Sequence, residues 1–141
     1  MKITICGSMQ FAEQMLKIKN ELQKLEFEVI TPLTTDECAK RPNDNLNEDY
    51  EFCIANNVTK DHFDKIENSD AILVVNYPKN NISGYIGGAT LQEMSIAYHF
   101  NKKIFVLHDL PSENEIRYAF EIKIMRPIIL NGNIKNIKNH L

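Results

Sequence analysis

The segment Ala71-Ile-Leu-Val-Val75 and the later stretch Gly84-Tyr-Ile-Gly-Gly-Ala-Thr-Leu-Gln-Glu93 decide the fold. The first is a continuous apolar run, which predicts a buried strand. The second contains three glycines and leads into a predicted helix. Glycines at a strand-to-helix junction let a ligand approach the backbone, and the free N–H groups of a first helical turn attract anions. Glu93 adds a carboxylate one turn into the helix, and an acid beside an anion cradle suits sugar-phosphate chemistry better than plain phosphate binding.

Strands and helices alternate on both sides of this segment. The predicted strands are Lys2–Cys6, Glu28–Thr31, Ala71–Asn76, Lys103–Leu107 and Pro127–Leu130. The predicted helices are residues 11–25, about Glu48 to Ile66, Thr90–Asn101, Glu113–Met125 and Ile134–Leu141. The polar stretch Leu33–Asn47 predicts a long surface loop. The alternation predicts a single α/β domain over residues 1–141, a doubly wound (flavodoxin- or Rossmann-like) five-stranded parallel sheet with helices on both faces.

In sheets of this kind ligands bind beyond the carboxyl ends of the strands, where the strand order reverses. Gly7-Ser8, residues 76–93 and His108-Asp109 all follow predicted strands, so they can line that crevice, and for His108-Asp109 a simple turn is equally open. Within residues 76–93 the candidate contacts are Asn76, Gly84, Gly87, Gly88 and Thr90. Asp70 precedes its strand and is expected to be structural, at the opposite edge.

The composition excludes several classes of function. The chain has 141 residues, 43% of them apolar, and a net charge of −3, which argues against a nucleic-acid partner. No apolar run approaches the roughly 18 residues of a membrane span. The three cysteines (Cys6, Cys38 and Cys53) are far apart, which predicts no disulfide and a cytoplasmic protein. No cluster has the spacing of a metal site, and no organic cofactor is implied.

Two interpretations are open for Glu93. The sequence Thr90-Leu-Gln-Glu93 is a capping box, in which the glutamate side chain would bond back to the N–H of Thr90. The preceding glycines and the position after an interior strand favour a functional carboxylate instead. Gly7-Ser8 likewise predicts either a phosphate or sugar contact or a tight turn with Ser8 as N-cap. The chain has neither a dinucleotide fingerprint nor a nucleoside-triphosphate loop.

A second acid would help a glycosidic reaction by protonating the departing group. Asp61 and Asp64 lie on the predicted helix before the third strand, with His62 between them. Asp61 is the better candidate, although most charged residues on such a helix face water. His99 is expected to interact with the end of its helix. For Tyr85 and Ile86, stacking on a base and simple packing are both open.

The chain resembles the nucleoside 2-deoxyribosyltransferase-like family, which includes the 2′-deoxynucleoside 5′-phosphate N-hydrolases. The resemblance lies in the order of elements, Asp-Ala-Ile-Leu-Val-Val-Asn at 70–76, the loop ending in Thr90-x-x-Glu93, and Ala97-Tyr98 with Lys102-Lys103-Ile104. It implies that Glu93 is a nucleophile that attacks C1′ of the sugar and forms a glycosyl-enzyme ester. It also implies that Asp61 assists the leaving base and that the chain forms a homo-oligomer, a dimer or larger.

Two positions depart from that family's pattern. Gly87 replaces an aspartate or serine that contacts the 5′ side of the sugar, and Gly7-Ser8-Met9 replaces a tyrosine after the first strand. A Gly-Gly loop could admit a phosphate instead. The motif Gly87-Gly88-x-Thr90-x-x-Glu93 is also similar to that of the nucleoside 5′-monophosphate phosphoribohydrolases called lysine-decarboxylase-like proteins.

The resulting hypothesis is cleavage or transfer at the N-glycosidic bond of a nucleoside or nucleoside 5′-monophosphate. The Leu33–Asn47 loop is expected to close over the base. A nucleotide-binding module without turnover is the alternative, and the departure at Gly87 is its main support.

Overall fold

A computed structural model describes residues 1–41 and 46–141 of the chain. The strands are β1 (Lys2–Cys6), β2 (Glu28–Ile30), β3 (Ala71–Val74), β4 (Lys103–Val106) and β5 (Ile128–Ile129). The helices are α1 (Ala12–Lys24), α2 (Thr35–Lys40), α3 (Tyr50–Ala55), α4 (Val58–Glu67), α5 (Gly88–His99) and α6 (Ala119–Ile124). Short 3₁₀ helices span Met9–Phe11, Leu46–Glu48 and Ile134–His140. Within the described residues, no helix combines the length and apolar character needed to cross a bilayer.

The five strands form one sheet in the order β2-β1-β3-β4-β5, and every neighbouring pair is parallel. This confirms the predicted fold class. The chain winds outward from β1 to β2, crosses to β3 on the other side of β1, and continues outward to β5. The strand order therefore reverses between β1 and β3, and a crevice opens beyond their carboxyl ends, next to Cys6 and Val74.

Helices cover both faces of the sheet, so side chains that alternate along a strand enter two separate cores. Ile3 and Ile5 of β1 pack with α1 and the 3₁₀ helix Ile134–His140. Cys6, on the opposite face of β1, packs with α4, α5 and α6. Within the described residues, Cys6, Cys38 and Cys53 form no disulfide. The alternation along β1 thus turns the Cys6 thiol toward the helices that carry the candidate carboxylates.

The structure corrects the predicted loop over Leu33–Asn47. Residues 35–40 form α2, which packs against α1 and buries Thr35 and Cys38. Six residues with two buried side chains are too few to produce a clear helical period, so the sequence pattern missed this helix. Part of the expected loop, residues 42–45, lies outside the described residues, and the proposed lid therefore stays a prediction.

Two predicted helices also differ from the structure. The helix expected from Glu48 to Ile66 is divided into α3 and α4 by Asn56-Asn57, and Asn57 has a left-handed backbone (φ 51°). Asparagine tolerates this conformation better than most residues. The left-handed residue interrupts the helix, so α4 starts in a new direction after α3. The helix expected over Glu113–Met125 is confined to Ala119–Ile124, and the preceding residues form turns.

Candidate active site

A cavity of about 230 Å³ lies beyond the carboxyl ends of β1 and β3, where the strand order reverses. Its walls come from residues 7–9 after β1, Pro32 and Leu33 after β2, the helices α3 and α4, and the segment from Lys79 to Glu93. The structure therefore has a cavity at the carboxyl edge of the sheet, where the sequence predicts the ligand site. Six of the predicted residues line it: Gly7, Ser8, Gly87, Gly88, Thr90 and Glu93.

The backbone at Gly7 lets the first loop pass close to β3. Gly7 has a φ of 151°, and a Cβ built on it would lie 2.8 Å from Val75 Cγ2 and 2.9 Å from the Val75 carbonyl oxygen. A residue with a side chain would therefore push β1 and β3 apart at the cavity. Ser8 is held beside it, and its hydroxyl accepts a hydrogen bond from the Gln10 N–H at 3.4 Å, as an N-cap does.

The capping interpretation of Glu93 is wrong in this structure. Helix α5 begins at Gly88 with Gly87 as its N-cap, and no capping hydrogen bond from a side chain is found there among the described residues. Thr90 is already the third residue of the helix, so its N–H cannot form the expected capping box with Glu93. The Glu93 side chain instead faces the cavity floor and is 16% exposed. Its Oε2 atom is buried and has no hydrogen-bond partner among the described residues.

Glu93 meets two residues from other elements, and we call these three the Cys6–His62–Glu93 cluster. Glu93 Oε1 lies 3.8 Å from His62 Nε2, and the same nitrogen lies 3.4 Å from Cys6 Sγ. The three ligating atoms all lie within 4.8 Å of one another. Cys6 ends β1, His62 faces inward from α4, and Glu93 stands one turn into α5, so the cluster joins three separate elements.

Burial dominates the electrostatics of this cluster. It raises the pKa of Glu93 from 4.5 to about 8, and only a hydrogen bond from Cys6 opposes the shift. Burial and then the Lys65 charge lower the pKa of His62 from 6.5 to about 4, although Asp61 and the Ile5 backbone favour its protonated form. In the part of the chain that the structure describes, no well-formed hydrogen bond reaches His62 Nδ1. Burial, followed by the Glu93 charge, also raises the pKa of the Cys6 thiol. At neutral pH the cluster is therefore mostly uncharged.

One part of the cavity lining is suited to an anion. Lys79 Nζ donates a 3.0 Å hydrogen bond to Ser8 Oγ and lies 5.2 Å from the centre of the Tyr85 ring. The N–H groups of Gly88, Ala89 and Thr90 precede the first intrahelical bond of α5, from Leu91 N–H to the Gly87 oxygen at 3.0 Å. A cation, a hydroxyl and the positive end of a 12-residue helix therefore share one wall.

A two-residue hairpin turn positions Lys79. Lys79 and Ile82 exchange backbone hydrogen bonds of 3.1 and 2.9 Å. The two residues between them, Asn80 and Asn81, both have positive φ, 53° and 60°. This is the backbone of a type I′ turn, which asparagine tolerates well. The ammonium group is thus carried by a short ribbon that begins a few residues after β3.

Two predicted contacts, Asn76 and Gly84, do not reach this cavity. Asn76 is fully buried, and its side chain joins the ends of β3 and β4: Oδ1 accepts from His108 N–H at 2.8 Å, and Nδ2 donates to the His108 and Asp109 carbonyls at 3.1 and 3.0 Å. Gly84 has φ 66°, and a Cβ there would lie 2.2 Å from the Asp109 oxygen. Both residues instead border a second cavity beside His108. They hold the 76–84 segment in place rather than face the site.

Asp61 also lies away from the cavity. Its carboxylate pairs with Lys65 one turn along α4, with 2.8 Å between Oδ2 and Nζ. The neighbouring residue His62 is the one that α4 turns inward. Asp70 lies at the amino edge of the sheet and accepts a hydrogen bond of 2.7 Å from the Lys2 N–H, in line with its predicted structural role.

Three residues of the site were missed by the sequence analysis. The predicted site residues do not include Cys6, His62 or Lys79, although Cys6 ends the first predicted strand and His62 lies between two candidate acids. A usable signal existed for two of them. Val58, His62 and Ile66 recur at steps of four, which places His62 on the buried face of α4. The Asn80-Asn81 pair is a recognisable signal for a two-residue hairpin turn, and Lys79 is the residue that precedes this turn.

The fold is shared with a solved enzyme structure. The chain is similar to the Clostridium botulinum CMP N-glycosidase BcmB, with a TM-score of 0.57, 16% sequence identity and full coverage of both chains. No protein-family model matches the sequence, and no curated protein matches it. The likeness therefore establishes the fold, while the site has to be argued from its own residues.

Proposed function

We propose that this protein cleaves the N-glycosidic bond of a nucleoside 5′-monophosphate, with Glu93 as the nucleophile. The observation that carries the proposal is the Glu93 carboxylate itself. It lines the cavity at the strand-order reversal, and among residues 1–41 and 46–141 it makes no capping contact and Oε2 has no hydrogen-bond partner. A buried carboxylate in the same cavity as a cation and a helix N-terminus suits attack on a sugar-phosphate.

The reaction follows the logic of retaining glycosidases. A Glu93 oxygen forms a bond to C1′ while the C1′–N bond breaks, and the electron pair of that bond leaves with the base, which takes a proton from solvent. Water then attacks C1′ of the glycosyl ester and loses a proton to solvent, the ester bond breaks, and the carboxylate is restored. Asp61 lies outside the cavity, so the proposal assigns it no part in these steps.

His62 supports this chemistry as a proton acceptor. The nucleophile must be ionised, whereas burial raises the pKa of Glu93 to about 8. His62 Nε2, at 3.8 Å from Glu93 Oε1, is placed to receive that proton and form a carboxylate–imidazolium pair. The Cys6 thiol favours the same ionised state, because its hydrogen bond lowers the pKa of Glu93. Because the pKa of Glu93 lies above that of His62, the pair rests in its neutral form, and the proposal is that the reactive carboxylate forms when this proton passes to His62 rather than to solvent.

The polar wall around Lys79 supports a phosphorylated substrate. A 5′-phosphate placed there would meet the Lys79 ammonium, the Ser8 hydroxyl and the N–H groups of Gly88 to Thr90. A Cβ built on Gly88 would meet no atom within 4 Å, so the backbone is open to a ligand at this position. The fold shared with a CMP N-glycosidase is consistent with a nucleotide in such a site. We also expect a homo-oligomer, which light scattering after size exclusion would test.

Release of free base from nucleosides and their 5′-monophosphates tests the proposal. We expect one or more monophosphates to release base, and Glu93→Ala and Glu93→Gln to lower kcat by more than about 1,000-fold, as loss of a nucleophile does. Glu67→Gln, an exposed carboxylate on α4, is the matched control and should keep full activity. Tight nucleotide binding without release, unchanged by Glu93→Gln, would instead identify a nucleotide-binding module.

A further inference from the structure

We propose that the Cys6–His62–Glu93 cluster binds a thiophilic divalent transition-metal ion, with Zn²⁺ as the best fit. Sulfur, imidazole nitrogen and carboxylate oxygen are the three donor types that zinc accepts in proteins. Each residue offers one such atom, and Cys6 and His62 are buried, so the site is screened from bulk solvent. Mg²⁺ and Ca²⁺ prefer all-oxygen shells, so a thiol and an imidazole select against them.

Two of the three donor separations are close to those around a tetrahedral ion, and the third is within 4.8 Å. With Zn–S of about 2.3 Å and Zn–N of about 2.0 Å, tetrahedral angles place adjacent sulfur and nitrogen donors about 3.5 Å apart. Cys6 Sγ and His62 Nε2 are 3.4 Å apart. His62 Nε2 and Glu93 Oε1, at 3.8 Å, need to close by only a few tenths of an ångström for a bond angle near tetrahedral.

The carboxylate supplies a second, independent observation. Glu93 Oε2 is buried and has no hydrogen-bond partner among the described residues, which is an unfavourable state for a polar atom. A cation bound between the three side chains would satisfy the carboxylate. His62 and Glu93 also line the cavity, so a fourth coordination position would face it and could hold water.

Metal binding also has a consequence for activity, and this part rests on the proposed function. A carboxylate that coordinates zinc is not free to attack C1′. The ion would therefore inhibit base release by occupying Glu93, and a chelator would restore it. The metal ion would inhibit base release through its contacts with Cys6, His62 and Glu93, without binding anywhere else on the protein.

Cobalt(II) titration of the chelator-treated protein tests the site without substrate. Co²⁺ replaces Zn²⁺ in such sites, and its spectrum reports the ligands. We expect one equivalent to produce the intense visible bands of four-coordinate cobalt and a thiolate-to-cobalt charge-transfer band, with one equivalent of Zn²⁺ abolishing both. Cys6→Ser should remove the charge-transfer band. Cys6→Ser and His62→Gln should each weaken cobalt binding by more than roughly 10- to 100-fold, which is the loss expected for an outer-shell partner. Cys53→Ser, a thiol that lines the same cavity outside the cluster, should change neither.

The proposal is overturned if cobalt gives no charge-transfer band with the wild-type protein, or if the band survives Cys6→Ser. Circular dichroism establishes whether each variant is folded. Should Cys6→Ser fail to fold, the cobalt affinity of His62→Gln decides the question, and an affinity equal to that of the wild-type protein overturns the proposal. Because no turnover is measured, a negative result leaves the base-release proposal standing, and loss of base release leaves the cobalt result intact.

Discussion

Glu93 Oε1 lies 3.8 Å from His62 Nε2 in the floor of the cavity, and neither side chain makes an ion pair with another residue in the described part of the chain. The carboxylic acid and the imidazole are both held mainly in their neutral forms, because burial shifts their pKa values in opposite directions. A proton transfer between them would create two charges that stabilise each other. This relationship makes the pair sensitive to pH, to ligands and to substitution.

Ionisation of Glu93 should destabilise the fold at alkaline pH. Its pKa is raised from 4.5 to about 8, so the contribution of the protonated acid is fully present below about pH 4.5 and is lost as pH rises through 8. The upper bound on this loss is about 5 kcal/mol, since one pKa unit corresponds to about 1.4 kcal/mol. Urea unfolding of the metal-free protein from pH 5 to 9 measures it. Glu93→Gln should flatten the decline, and an unchanged slope would contradict the raised pKa.

His62 should produce the opposite dependence on the acid side. Its pKa is lowered from 6.5 to about 4, so the stability of the neutral imidazole is present above pH 6.5 and is lost as pH falls through 4. We expect the free energy of unfolding of the metal-free wild type to fall over this range more steeply than that of His62→Gln. His99, an exposed histidine, is the matched control, and His99→Gln should follow the wild-type curve.

Lys79→Met should reduce preference for phosphorylated substrates. A hydrogen bond to a charged group contributes about 1.5–3 kcal/mol, which corresponds to roughly 10- to 100-fold. We expect kcat/KM for a nucleoside 5′-monophosphate to fall by about that factor and kcat/KM for the parent nucleoside to change little. Lys135→Met, at an exposed lysine, should leave both values unchanged. Equal losses for the two substrates would show that Lys79 does not contact the phosphate.

Two glycines of the site should respond differently to alanine. Gly7→Ala places a Cβ within 2.9 Å of Val75 and should destabilise the protein by about 1–3 kcal/mol. Gly88→Ala meets no atom within 4 Å, so stability should stay within about 1 kcal/mol of wild type. Its substrate KM should nevertheless rise, since the added methyl group occupies space left for a ligand. Thermal unfolding measures the change in stability, and steady-state kinetics measures the change in KM. A Gly7→Ala protein as stable as the wild type would refute the close approach of Gly7 to Val75 after β3.

Asn76→Ala should be a stability variant rather than a binding variant. The substitution removes the hydrogen bonds to the His108 N–H and to the His108 and Asp109 carbonyls. Each unsatisfied buried group costs about 1–3 kcal/mol, so we expect a loss of at least about 2 kcal/mol. In protein that remains folded, the substrate KM should stay close to the wild-type value. A large rise in KM with unchanged stability would return Asn76 to the substrate contacts.

The strands were the most predictable part of the fold, because each is a short local run whose apolar character is independent of distant residues. The predicted strand Lys2–Cys6 has the same ends as the observed β1. The predicted strand Ala71–Asn76 is two residues longer than the observed β3, which ends at Val74. The short helix Thr35–Lys40 was missed because packing against α1, rather than local pattern, stabilises it. The capping box at Thr90 was a strong local signal that failed, because the backbone entered helix α5 two residues earlier, at Gly88.

The sequence by itself determined the α/β class, the edge of the sheet that carries the site, and the candidacy of Glu93, because these depend on local apolar runs and on the chirality of parallel crossovers. Only the tertiary structure decided the partners of Glu93. Cys6 and His62 are 56 residues apart, and their contact depends on the rotation of α4 about its axis and on the side-chain alternation along β1. The same rotation turns His62 inward and leaves Asp61 to its ion pair with Lys65, because adjacent residues on a helix point about 100° apart.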